Sequence, residues 1–112
     1  KLIMASTFKN RTLRAVGTSP VDVGAVVSAG VEVTIIGLSL ANLTGGGIKA
    51  TIAVNDGTNT TNIVKNVPIP TETALVAIGG DQKVVLMAGD KLIVTSDTAS
   101  SLDVVMSFLE IT

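Results

Sequence analysis

Lys83 to Thr112 constrain what this chain can fold into more than any other stretch. Within it, Leu102, Val104, Met106 and Phe108 occupy alternate positions, with Val105, Leu109 and Ile111 in the opposite phase. A period of two means an extended strand whose side chains point to either face in turn. Both phases are largely apolar, so neither face suits water. One must meet the domain's own core. The other must meet more of the same chain or a second subunit, and Val105, Leu109 and Ile111 are therefore the candidate oligomer interface. Just before this strand, Lys83–Ala88 and Lys91–Ser96 are two β-branched runs around the turn Gly89-Asp90. The three runs read together as a β-meander.

Earlier segments repeat the theme. Thr12 to Val16 is a short strand stopped by Gly17, and Val21 to Val23 is extended. In Val31 to Thr44 the apolar phase slips: Val31, Val33 and Ile35 give way to Ile36, Leu38 and Leu40, with Gly37 at the slip. That pattern marks a β-bulge or a bend, which in a sandwich lets one strand serve both sheets. Ile48 to Val54 and Thr60 to Val67 flank Asn55-Asp56-Gly57, a hairpin signal, with Pro68 and Pro70 ending the second run. Ala74 to Ile78 is apolar on both faces and reads as buried or interfacial. The spacing predicts an all-β, antiparallel sandwich of about eight strands, jelly-roll or immunoglobulin-like, with an extended N-terminal arm. The divisions expected are a basic arm over 1–14 and a sandwich over 15–112.

Charge supports the arm. Lys1, Lys9, Arg11 and Arg14 precede the first acid, Asp22, so the first 21 residues carry +4 and the remainder −5. Such an arm, without a clear period over its first ten or so residues, is expected to order on docking to an acidic partner surface. The basic residues are too sparse for a nucleic-acid patch. Glu32 and the strand period argue against a membrane span over Gly24–Leu43. Lys1, followed by only a short apolar stretch, does not read as a signal peptide.

The chemistry available is narrow. The chain has no Cys, His, Trp or Tyr, and its aromatic residues are Phe8 and Phe108. No disulfide or thiolate metal site can form, and stacking surfaces for sugars or single-stranded nucleic acid are lacking. Asp81, Asp90, Asp97 and Asp103 match no calcium-loop spacing and sit at or beside turns, where aspartate caps its own backbone. Gly45-Gly46-Gly47 and Gly79-Gly80-Asp81-Gln82-Lys83 lack the ending of a phosphate loop. Glu72 and Glu110, the glutamates of the C-terminal half, have no catalytic motif around them, and the lack of rings to hold a sugar argues against a glycosidase carboxylate pair. Asn10, Asn42 and Asn59 head glycosylation sequons by pattern. No catalytic residue, cofactor or metal is expected.

Several stretches carry a resemblance: Ile35-Ile36-Gly37-Leu38-Ser39-Leu40-Ala41-Asn42, Val64-Lys65-Asn66-Val67-Pro68-Ile69-Pro70, Gly79-Gly80-Asp81-Gln82-Lys83, Ala88-Gly89-Asp90 and the terminal Ser107-Phe108-Leu109-Glu110-Ile111-Thr112. Together they resemble small structural proteins of tailed bacteriophages, over roughly residues 31 to 112. The resemblance implies a virion component without catalytic residues. Its first form is a head decoration (cement) protein on the major capsid protein, self-associating, with a trimer favoured. A neck, tail or fibre subunit is the alternative, and a small host-surface binding module is the rival from another class.

Overall fold

The computed structural model describes residues 5–112. Among them the chain forms nine strands and no helix: β1 (Ser6–Val16), β2 (Val21–Val23), β3 (Glu32–Asn42), β4 (Ile48–Asn55), β5 (Thr60–Ile69), β6 (Ala74–Ile78), β7 (Val84–Leu86), β8 (Lys91–Ser96) and β9 (Leu102–Ile111). They make two antiparallel sheets. The first has the order β1-β9-β3-β6, with β7 also on β3, and the second has the order β2-β8-β4-β5. β7 pairs with Val33–Ile35 and β6 with Leu38–Ala41, so the two share one position along β3. Counted that way, first pairs with last, second with second-last, and so on inward to the β4–β5 hairpin. That nesting is a jelly roll, which decides between the two topologies the spacing left open.

The core lies between the sheets. From β9 it takes Leu102, Val104, Met106 and Phe108, and from β3 it takes Val33, Ile35, Leu38 and Leu40, all buried. The second sheet answers with Ile48, Ala50, Ile52, Leu92 and Val94. The phase slip in β3 is a bulge: Ile35 faces Phe108 and Gly37 faces Ser107, leaving Ile36 without a partner. The bulge does not send β3 into both sheets. It returns the inward phase to Leu38 and Leu40, so one strand keeps one face in the core throughout its length.

Three expectations change. The C-terminal runs are not a meander, because β7 and β9 belong to the first sheet and β8 to the second. The Gly89-Asp90 turn crosses between sheets, held by Val27 N–H to Asp90 O and Gly89 N–H to Val27 O, both 2.9 Å. Local turn signals cannot distinguish a hairpin from a crossing of this kind. Pro68 does not end its strand either: β5 runs on to Ile69, with Pro68 opposite Lys49. β5 is an edge, where a missing N–H can face solvent. Finally, from Ser6 onward the basic segment is a strand rather than a free arm, paired with β9 from Ser6–Ile111 to Leu13–Val104. Most of its side chains are exposed, so no alternation betrays it. Lys1 lies outside the described residues.

One polar side chain ties the roll together. Asn42 is buried, and its amide donates to the carbonyls of Gly46, Ile69 and Pro70 at 2.9, 3.0 and 3.1 Å. Its Oδ1 accepts from the Thr44 N–H and hydroxyl, both at 2.8 Å. The amide sequon at Asn42 is thereby closed to modification. In Asn42→Ala the Gly46 and Pro70 carbonyls keep the Thr44 and Thr73 hydroxyls as donors, so the Ile69 carbonyl and the Thr44 N–H are the groups that lose a partner, at about 1–3 kcal/mol for each left dry. The urea midpoint of the variant should fall with an unchanged slope.

Candidate assembly interface

β9 is central in the first sheet, between β1 and β3, so each of its outward side chains has neighbours on both sides. Val105 stands between Thr12 and Ser39, Leu109 between Phe8 and Thr34, and Ile111 between Ser6 and Glu32. All three predicted interface residues therefore share the outer face of the first sheet. Val105 is about half exposed, whereas Leu109 and Ile111 are partly covered.

The face extends well beyond β9. Phe8 is 76% exposed, Val76 68%, and Val85 and Met87 52% each. Phe8, Val76 and Val85 lie on β1, β6 and β7, and Met87 follows β7 in the phase of Val85. Ile36, turned out by the bulge, joins Phe8, Asn10 and Ser107 around one shallow hollow. Of the seven large hydrophobic side chains exposed among the described residues, five are on this face; Val26 and Leu43 are in loops. None is on a strand of the second sheet. Sequence reading missed Phe8, Ile36, Val85 and Met87, whereas Val76 falls in the Ala74–Ile78 run read as buried or interfacial. The phase of Val85 and Met87 against buried Leu86 was a usable signal, but Phe8 carried none.

The basic residues do not form one patch. Lys9 and Arg11 alternate with the outward residues of β1 and turn to the inner side of the sheet. Lys9 pairs with Glu110 at 2.8 Å. Arg11 lies along Gly24, at the rim of a cavity of about 130 Å³ between the sheets, lined by Val27, Val31, Met106 and Phe108. Arg14 is exposed elsewhere on β1, and neither arginine is in an ion pair among the described residues.

The carboxylates serve the backbone. Asp90 accepts from the Met87 N–H at 2.9 Å, Asp97 from Lys49 at 3.0 Å and Asp103 from Ala15 at 2.9 Å. Among the described residues no three potential ligands converge on a metal position. Glu110 sits level with Val33, whereas Glu72 adjoins Thr73, bonded to Asn42 at the far end of β3. That separation is about 30 Å of strand, far beyond the ~5–10 Å of a glycosidase pair. Of the two rings, Phe108 is in the core, which leaves Phe8 alone and no aromatic cluster for a glycan. No helix among the described residues is long and apolar enough to cross a membrane.

Comparison with known proteins extends the fold. No family model and no curated protein matches the chain. Among solved structures it is similar to a protein of Bacillus endospore appendages, described as disulfide-linked pili: TM-score 0.56, 13% identity, 96% of this chain and 86% of that one. A pentameric capsid protein from metagenomic phage sequences gives 0.39 at 19% identity, over 92% of this chain and 59% of that one. The infectious bursal disease virus Gt strain gives 0.47 at 13%, over 97% and 32%. The appendage likeness shows the sandwich fold. The chain spans only part of the two viral proteins.

The turns make one prediction about acid. The Asn59 and Thr58 N–H groups hold the Asp56 carboxyl below its usual range, and the Lys49 N–H and Thr98 hydroxyl do the same for Asp97. A depressed folded-state pKa adds stability that is present above the ordinary value of 3.8 and lost as pH falls through the folded one. Thermal melts should hold from pH 7 to 5 and weaken below 4. Carbon-detected titration should show both carboxyls protonating below the ordinary value of 3.8.

Proposed function

We propose that this chain is a non-enzymatic structural subunit of a tailed-phage virion, a capsid decoration (cement) protein that binds the head and self-associates through the outer face of its first sheet. The observation that carries the reading is the gathering of Phe8, Val76, Val85, Met87 and Val105 on that one face. A small monomer has no use for so much exposed apolar sheet. The resemblance of residues 31 to 112 to tailed-phage structural proteins supplies the virion. Closed rotational symmetry covers such a face without making fibres, and a trimer suits a capsid three-fold position. Arg11 and Arg14, with Lys1 and Lys9, are the contacts for an acidic surface on the major capsid protein.

A neck, tail or fibre subunit is the second reading, favoured by the likeness in fold to the endospore appendage protein. That protein's assemblies are disulfide-linked. This chain has no cysteine, so its own contacts would be non-covalent.

Mass measurement in solution tests the face. Wild-type protein should be oligomeric at micromolar concentration. Val105→Asp and Leu109→Asp should weaken association roughly 10- to 100-fold for each side chain lost, as ~1.5–3 kcal/mol of burial implies, while leaving the circular dichroism spectrum intact. Val104→Asp puts the charge in the core and should unfold the domain. A wild-type monomer would refute the reading. Binding to capsids should weaken with added salt if the basic residues contribute.

A further inference from the structure

The sheet edges are defended unequally. In the second sheet, β2 offers three residues, and β5 carries Lys65, a bulge at Asn66 with φ of +52° and Pro68. Short length, lysine, bulges and proline are the usual guards against strand addition. In the first sheet, one edge is the β6–β7 position, five and three residues long. The other edge is β1, 11 residues without proline and regular from Ser6 to Leu13; of its charges Lys9 is paired with Glu110, Arg11 lies along Gly24 and Arg14 stands at the bulge around Ala15, beyond the regular run. Ala5 O accepts from Thr112 N–H, and bonded and non-bonded pairs alternate along an antiparallel ladder. Thr7, Lys9, Arg11 and Leu13 therefore bond to β9. Ser6, Phe8, Asn10 and Thr12 turn their N–H and C=O groups to the open side.

The geometry points to a second copy of this chain as the occupant of that edge, joined through its own β6–β7 edge so that the first sheet continues from copy to copy. The inference rests on the reading of the chain as a self-associating subunit and adds a contact distinct from the face. Three features select this partner edge. Across the first sheet there are four strand positions, each antiparallel to the next, so β1 and β6 run in opposite directions. A copy carried across the sheet without reversal thus sets its β6–β7 edge antiparallel to β1. The registers then agree on the outer face. Phe8 shares a row with Leu109, Thr34 and Val85, and Thr12 shares one with Val105, Ser39 and Val76. Joined level, Phe8 meets the neighbour's Val85 and Thr12 its Val76, covering the exposed side chains at both margins. Last, β6 and β7 carry no charge, whereas pairing β1 with β1 would set Lys9 and Arg11 against their own copies. Such head-to-tail joining closes into a ring or runs on as a filament.

Backbone hydrogen exchange on the full chain, followed from dilute monomer to assembled protein, tests this. The amides of Ser6, Phe8, Asn10 and Thr12 should slow at least about tenfold on assembly, since only strand addition bonds them. Asn10→Pro removes an outward donor that the monomer does not use, and should give smaller particles without that protection. Val76→Lys, a change at an already exposed site on the opposite edge, should do the same even if the proline variant folds poorly. Val105→Asp should leave the edge protection in place. Assembly with those four amides exchanging as fast as in the monomer would overturn the edge contact and leave the face as the basis of association. A monomer at every concentration would overturn both.

Discussion

Everything in this fold hangs on β9 lying between β1 and β3. Its inward row, Leu102, Val104, Met106 and Phe108, is buried against the second sheet. Its ladder with β1 joins residues about as far apart as the chain permits, setting Ser6 opposite Ile111, and the side chains of Lys9 and Glu110 bridge a separation of 101 beside it. Closing such a loop in an open chain is entropically costly, though the cost grows only slowly with length. Nested pairing reduces it further. The β4–β5 hairpin closes on a four-residue turn, β3 with β6 encloses it, β2 with β8 encloses that, and β1 with β9 is outermost, so each inner pair shortens the loop the next one must close.

The bulge at Ile36 is what allows β3 to serve this scheme. A regular strand of 11 residues would carry Val33 and Ile35 inward and then Gly37 and Ser39, leaving Leu38 and Leu40 facing water. The extra residue resets the phase. It also falls where the partner on the far side changes from β7 to β6, so one irregularity corrects the face and accommodates the break between two short strands. Asn42, at the end of the same strand, then binds the loop after β3 to the end of β5 through its side-chain amide.

These points show which parts of the fold were legible in the sequence. The alternation of β9, the phase slip at Gly37 and the Asp56-Gly57 turn are consequences of local geometry, and all three were readable; Gly57 takes the positive φ, +96°, that such a turn requires. Sheet membership was not readable. β7 and β8 are separated by a tight turn like that of a hairpin, yet they lie in different sheets, with Leu86 and Leu92 both buried and the turn bonded to Val27. The first part of β1 was hidden for a different reason, since an edge strand exposed along most of its length has no period to detect; its end, Thr12 to Val16, was legible as a short strand. The candidate face was legible in its β9 portion because a central strand must be apolar inward and here is apolar outward too. Its margins, Phe8 and Val76, depended on knowing which strands lie at the edges.

β9 also separates two requirements that commonly compete. Its even-numbered residues from Leu102 to Phe108 are buried and complete a core without help from any partner. Its odd-numbered residues Val105, Leu109 and Ile111 are on the outer face of the sheet, exposed or only partly covered. Because the period of a strand is two, a change in one set leaves the other in place. The same separation holds across the sandwich: the first sheet gathers the exposed apolar side chains, whereas the second exposes none of comparable size on its strands. A domain built this way completes its core within one chain, and any contact through its exposed apolar strand surface is directed to one side. That directionality is what a subunit needs if its assemblies are to close or extend in an orderly way rather than aggregate.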